Sequence, residues 1–287
     1  MSTPFDAGGE VDPVAMRSNV ERWSGTGVRG VVALGSNGEA PLLDEKESDV
    51  VIAAAREALP GDRLLLAGTG RESTRGTIDA SRRAASLGAD AVLVRTPSYF
   101  KPRMTADAFV AHYTAVADAV PVPVLLYNYP AVTGLTLTAD AVARLARHPN
   151  IVGIKETSTD AAQIAAFVDA SAGEDFAVLA GSAPGFYAAL CLGARGAILA
   201  AACVVPSMCV RLFEAYKAGR HDEARELQRR MIPIAHAVTS GHGVAGLKAA
   251  MAAAGYVGGN PRSPLSPPSA DALRAINEIM LPLQEFW

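Results

Sequence analysis

Apolar runs of four to six residues alternate with longer stretches in which apolar positions recur every three or four residues. The short runs predict strands at 30–34, 63–67, 91–94, 122–127, 151–155, 177–180 and 197–200. The longer stretches predict helices at 44–59, 73–87, 105–120, 138–148, 160–170 and 184–192. Strands that are apolar throughout are buried on both faces, as in a parallel sheet covered by helices. Several helical stretches open on Ser, Thr or Asp, Thr138-Ala139-Asp140 among them; there a side-chain oxygen can accept from an amide that the helix leaves unpaired. The strand-to-strand repeat is mostly 25 to 35 residues, the length of one βα unit.

Seven such units with no linker between them predict a (β/α)8 barrel over an open doubly wound sheet. Gly68-Thr69-Gly70-Arg71 follows a strand but lacks the third glycine of a dinucleotide-binding turn. After Ser207 the pattern is helical, at 208–218, 222–239, 244–253 and 270–283. The expected organisation is a barrel over residues 1–218 with a C-terminal helical extension over 219–287 packed on it. A barrel needs eight strands and the pattern supplies seven. Met1-Ser2-Thr3-Pro4-Phe5-Asp6 reads as the tail of a truncated first strand. Because unpaired strand edges are avoided, the natural chain is expected to start upstream, or another segment to fill the gap.

A net charge of −3 gives no electrostatic case for nucleic acid or an anionic membrane as partner. The three cysteines, Cys191, Cys203 and Cys209, lack metal-ligand spacing and fit a reducing compartment. With no leader-like start and no apolar run of the ~20 residues needed to span a bilayer, the protein is expected to be soluble and cytoplasmic. None of the five histidines joins a metal-like cluster; His236 and His242 read as loop or helix end.

Only five of the 26 basic residues are lysines, and one of them closes an apolar strand: Asn150-Ile151-Val152-Gly153-Ile154-Lys155-Glu156-Thr157. Burial disfavours the ammonium form, so such an amine becomes a usable nucleophile. A neutral amine at the carboxyl end of a barrel strand is what Schiff-base chemistry on a 2-oxo acid requires. The alternative is a strand-end lysine whose head reaches water.

Other unusual residues also fall at strand ends. Gly35-Ser36-Asn37-Gly38-Glu39 can present amides and a hydroxyl to a carboxylate, or be an ordinary βα turn. Tyr127, in Tyr127-Asn128-Tyr129-Pro130, could relay protons for Lys155 or be a core tyrosine with a satisfied hydroxyl. Thr96-Pro97-Ser98-Tyr99-Phe100 puts a second tyrosine after a strand, and Thr157 follows the lysine strand.

Together these segments resemble the pyruvate-dependent class I aldolase family of dihydrodipicolinate synthase and N-acetylneuraminate lyase. The resemblance runs from about Thr3 to the C-terminal helices, on Gly35–Glu39, Thr96–Tyr99, Tyr127–Pro130 and Gly153–Glu156. It implies a (β/α)8 barrel, usually a homotetramer built as a dimer of dimers, acting on a small 2-oxo acid without metal or cofactor. It implies Lys155 as the Schiff-base lysine, Tyr127 as the proton-relay tyrosine and Tyr99 as the tyrosine that neighbouring subunits donate to each other. Ser36 and Asn37 match the pair that holds the pyruvate carboxylate. Gly181, and Ile198 through its backbone carbonyl, match positions lining the pocket, and Thr157 is grouped with them.

The synthases usually carry Arg where this chain has Val132, and two threonines where it has Ser36-Asn37. The Gly35–Glu39 turn, 64–68, Glu72-Ser73-Thr74 and 148–153 look most like 4-hydroxy-2-oxoglutarate aldolase, which yields pyruvate and glyoxylate. A dicarboxylate substrate needs a second cation, and Arg95 and Arg71 are candidates. For Arg95 the alternative is an ion pair with a nearby carboxylate. Glu39 and Glu156 read as structural partners. Three functions stay open: this aldolase; the synthase or a sugar-acid aldolase or dehydratase; and a catalytically silent ligand-binding barrel.

Overall fold

The computed structural model describes residues 1–287. Seven strands form one sheet in sequence order, and the pairs from the second strand to the seventh are all parallel. This is the βα succession that the apolar runs predict. The seven-stranded parallel α/β sheet is the coarser form of the expected (β/α)8 barrel. Where the tail of a first strand was expected, Ser2 and Thr3 are buried and the Met1 ammonium donates to Val32 O over 2.7 Å. No helix is long and apolar enough to cross a membrane.

The chain divides into two units, Met1–Leu65 with Leu199–Trp287, and Leu66–Ile198. In the first unit, α1 (Pro13–Ser24) precedes β1 (Gly30–Ala33) and α2 (Glu45–Ala58). The sequence pattern had not predicted α1, although Asp12 caps it and Pro13 occupies its first turn. Its buried side is Ala15, Met16, Asn19, Val20 and Trp23, a helical stripe interrupted by one polar residue. Asp44 and Glu47 form a reciprocal capping box on α2. β2 (Leu64–Gly68) begins where Leu64 N donates to Arg29 O.

Between β2 and β7, the second unit holds α3 (Thr74–Ser86), β3 (Ala91–Arg95), α4 (Ala106–Ala119), β4 (Val124–Asn128), the single turn α5 (Pro130–Thr133) and α6 (Ala139–Ala146). It continues with β5 (Ile151–Glu156), α7 (Ala161–Ala170), β6 (Ala177–Ala180), α8 (Phe186–Cys191) and β7 (Gly196–Ala197). Ser73, Thr105, Thr138 and Asp160 each cap the helix that follows, as their positions predict. Val92, Leu93, Val94, Val124, Leu126, Ile151 and Ile154 are all buried, so β3, β4 and β5 are covered on both faces. β7 is shorter than the predicted strand: after Ala197 the chain reaches a 3-10 turn over Ala200–Cys203.

The four C-terminal helices are α9 (Pro206–Lys217), α10 (His221–His236), α11 (Gly243–Ala253) and α12 (Ala270–Met280), all in the first unit. The predicted helix 222–239 is broken: α10 gives way to a π-helical turn over Ala237–Gly241.

Candidate active site

A one-residue irregularity sets the register at the lysine. Val124 pairs with Ile151, but Leu125 pairs with Gly153, so Val152 is an extra residue on β5. Beyond it Tyr127 lies opposite Lys155 and Asn128 opposite Glu156. Without the extra residue Tyr127 would face Ile154, because a slip of one residue exchanges the two faces of a strand. Gly153 permits the close approach to β6 at this point, since a Cβ there would lie 2.5 Å from Ala177 O.

Neighbouring side chains on a strand point to opposite faces, which gives two cross-strand pairs with different chemistry. On one face, Lys155 Nζ lies 4.4 Å from the centroid of the Tyr127 ring, with Lys155 8% exposed and Tyr127 5% exposed. Tyr129 stacks on Tyr127 at 5.6 Å. Burial, then the neighbouring Tyr127, raises the Tyr129 phenol above its ordinary range. On the other face, Asn128 Nδ2 donates to Glu156 Oε2 over 2.6 Å, and both residues are wholly buried. Asn128 Oδ1 accepts from Leu137 N at 3.0 Å, and Glu156 Oε1 accepts from Ser158 N at 2.6 Å. The Glu156–Asn128 pair thus ties the loop after β4 to the loop after β5. Glu156 is held as a structural partner here.

Thr157 Oγ1 donates to Asn128 O over 2.7 Å, which fixes the residue that follows this pair. Gly181 N donates to Glu156 O over 2.5 Å. A Cβ at Gly181 would collide with the Thr157 methyl group and come within 3.1 Å of Lys155 Cε, so its absence leaves room for the lysine to move. Ile198 N donates to Ala180 O over 2.8 Å, which places Ile198 beside the end of β6. The structure therefore brings Lys155, Tyr127, Thr157 and Gly181 together.

Tyr99 is 79% exposed, its ring edge against Phe100 at 5.0 Å, and stands apart from that group. Its backbone, in contrast, is held: the amides of Ser98 and Tyr99 both donate to Glu72 Oε2 over 2.8 Å. Glu72 Oε1 in turn pairs with Arg95 NH2 at 2.8 Å. Partial burial opposes ionisation of Glu72, but the two amides and Arg95 hold its carboxyl below the ordinary range. The ion-pair reading of Arg95 is thus the arrangement present. Arg71 is half-buried in the loop after β2, its amide donating to Thr77 Oγ1 over 3.0 Å.

Two residues here carried no assigned role in the sequence. Glu72 belongs to Glu72-Ser73-Thr74, but its partners are 23 to 27 residues away. Lys101 was one of the rare lysines; its ammonium lies over Gly134, where a Cβ would be 2.9 Å from Nζ. Gly134 closes the turn that carries Val132, which is 62% exposed.

In the first unit, Ser36 and Asn37 begin a 3-10 turn over Ser36–Gly38. Leu34 and Glu39 bracket it in the left-handed region, with φ of 55° and 58°. Non-glycine residues held in that region cluster at functional sites.

A sequence model of the Dihydrodipicolinate synthetase family matches residues 1–281. The chain is 38% identical to the probable mitochondrial 4-hydroxy-2-oxoglutarate aldolase of Emericella nidulans, over 94% of this chain and 88% of the relative. It is 36% identical to the 4-hydroxy-tetrahydrodipicolinate synthase of Methanospirillum hungatei, over 97% of this chain and 95% of the relative. The structure superposes with a TM-score of 0.93 on a crystal structure of chloride-inhibited dihydrodipicolinate synthase from Acinetobacter baumannii complexed with pyruvate. That match has 31% identity and covers 100% of this chain and 97% of the other.

Proposed function

This chain belongs to the dihydrodipicolinate synthetase family, and we propose that it is a Lys155 Schiff-base lyase that cleaves 4-hydroxy-2-oxoglutarate to pyruvate and glyoxylate. The observation that carries this reading is the Lys155–Tyr127 pair: a buried amine against a buried phenol ring at the carboxyl end of adjacent strands. Val132 and the Ser36-Asn37 turn support the aldolase over the synthase, because they depart from the synthase pattern.

Neutral Lys155 attacks the ketone carbon of the 2-oxo acid; Ser36 and Asn37 are the residues that the family resemblance assigns to its carboxylate. Tyr127 passes a proton to the carbinolamine hydroxyl, which leaves as water and gives a protonated imine. The Tyr127 phenolate left by that transfer takes the proton of the C4 hydroxyl, the C3–C4 bond breaks to release the aldehyde, and the electron pair enters the imine to form an enamine. Protonation at C3 and addition of water then free pyruvate and the amine. The chemistry calls on no metal and no cofactor. Exposed Tyr99, its backbone fixed by Glu72, supports donation of that side chain to a second copy within a homotetramer.

The second carboxylate needs a cation. With Arg95 engaged by Glu72, Lys101 is better placed, beside the turn where synthases carry Arg. Lys101→Ala is expected to raise KM for 4-hydroxy-2-oxoglutarate about tenfold, the scale of a charge-assisted contact, with little change in pyruvate binding. Arg95→Ala is expected to lower kcat for every substrate by loosening the Tyr99 loop. A selective KM effect at Arg95 would move the role there.

Cleavage of 4-hydroxy-2-oxoglutarate, followed as pyruvate with lactate dehydrogenase, tests the proposal. Release of pyruvate is the expected result. Condensation of pyruvate with an aldehyde and no cleavage would favour the synthase, and cleavage confined to 2-keto-3-deoxy sugar acids a sugar-acid aldolase. Binding without turnover would leave a silent ligand-binding barrel.

A further inference from the structure

The first unit contains a second lysine that burial should make reactive, and its surroundings show another use. Lys248, on α11, is 1% exposed, and its Nζ lies 2.7 Å from Glu39 Oε1, on a carboxylate with no exposure at all. The ammonium also donates to Asn260 O over 2.8 Å and sits 4.3 Å from the centroid of the Phe5 ring. The other Glu39 oxygen accepts from Arg262 N over 2.7 Å. The Arg262 guanidinium covers the same Phe5 ring at 4.3 Å and pairs with Glu47. Burial draws the Lys248 amine below the ordinary lysine range, opposed by the attraction of Glu39. A wholly buried pair of this kind adds little to stability over an apolar substitute, so stability alone does not account for it.

Its position supplies a role. Glu39 is the residue immediately after the Ser36–Gly38 turn, and its own backbone is left-handed, with φ 58°. Such a conformation persists only where surrounding contacts enforce it, and the side chain of Glu39 is held at both oxygens. The turn is also tied on another side: Thr3 Oγ1 donates to Gly38 O over 2.7 Å. Recognition of a carboxylate by a turn's amides and hydroxyl tolerates little displacement.

We infer that Glu39 and Lys248 are positioning residues for the substrate-carboxylate turn: their buried pair pins the left-handed end of Ser36–Gly38 and fixes Ser36 and Asn37 for a 2-oxo acid. This rests on the assignment of that turn to the carboxylate in the proposed function.

The test compares two carbonyl probes on the full-length protein, pyruvate and the carboxylate-free ketone hydroxyacetone, each trapped with cyanoborohydride and read by intact mass. In Lys248→Met the pyruvate concentration for half-maximal trapping should rise on the order of tenfold to a hundredfold, the usual scale for loss of an outer support. Hydroxyacetone trapping should stay at the wild-type level, because it never uses the turn. An unchanged pyruvate requirement would overturn the inference and leave the proposed function standing. Equal losses with both probes would also overturn it, reducing the pair to a fold contact. If Lys248→Met does not fold, the near-isosteric Glu39→Gln carries the same comparison. Wild-type protein that traps no pyruvate would defeat the proposed function itself, and the inference with it.

Discussion

Lys155→Ala should lower turnover on the cleavable 2-oxo acid on the order of a thousandfold or more, because the covalent route loses its nucleophile and not merely one contact. The fold should survive. Lys155 lies at the end of β5, and shortening it removes a buried amine without removing an apolar core side chain such as Ile151 or Ile154. The thermal midpoint of the variant should therefore stay close to that of the wild type. Measuring turnover and melting on the same preparations checks both halves. Substantial residual turnover in a well-folded variant would mean that another group carries the chemistry.

Glu156→Ala should destabilise the second unit by about 2–4 kcal/mol. The carboxylate accepts from Asn128 Nδ2 and Ser158 N, both at 2.6 Å. Truncation leaves the wholly buried Asn128 amide without its acceptor and opens space between the two loops. Because Thr157 and Lys155 flank this residue in sequence, adduct formation with pyruvate should also slow by about tenfold or more through misplacement of the amine. Urea unfolding followed by far-UV circular dichroism measures the first effect through the shift in midpoint. A loss below about 0.5 kcal/mol, the level of an ordinary surface substitution, would show that the Asn128–Glu156 pair does not tie these loops.

The parts of this site that could be read from sequence are those in which one residue conflicts with its own neighbourhood. Lys155 stands out because an ammonium is foreign to an apolar strand, and Tyr127 because it ends the adjacent one. Their pairing across β4 and β5 could not be read. It depends on the extra residue Val152, and nothing in Ile151-Val152-Gly153 distinguishes an irregular strand from a regular one. Helix α1 went unpredicted because Asn19 interrupts its apolar stripe and is itself buried, exchanging hydrogen bonds with Val257. The Asp12-Pro13 start was a usable signal. Contacts between distant segments were the least legible. Glu39 reads as a structural partner, but its partner Lys248 is 209 residues away and carries no signal until the fold closes them into a buried pair. Glu72 likewise acquires its role only when the loops after β2 and β3 meet.

The most direct measurement is the intact mass of the wild-type protein and of Lys155→Ala after borohydride reduction in the presence of pyruvate, with peptide mapping of any adduct. One pyruvate-sized adduct on the wild type, mapped to Lys155 and absent from the variant, is the predicted result. A well-folded wild type without an adduct, or an adduct that persists in Lys155→Ala, would contradict a Schiff base at this lysine.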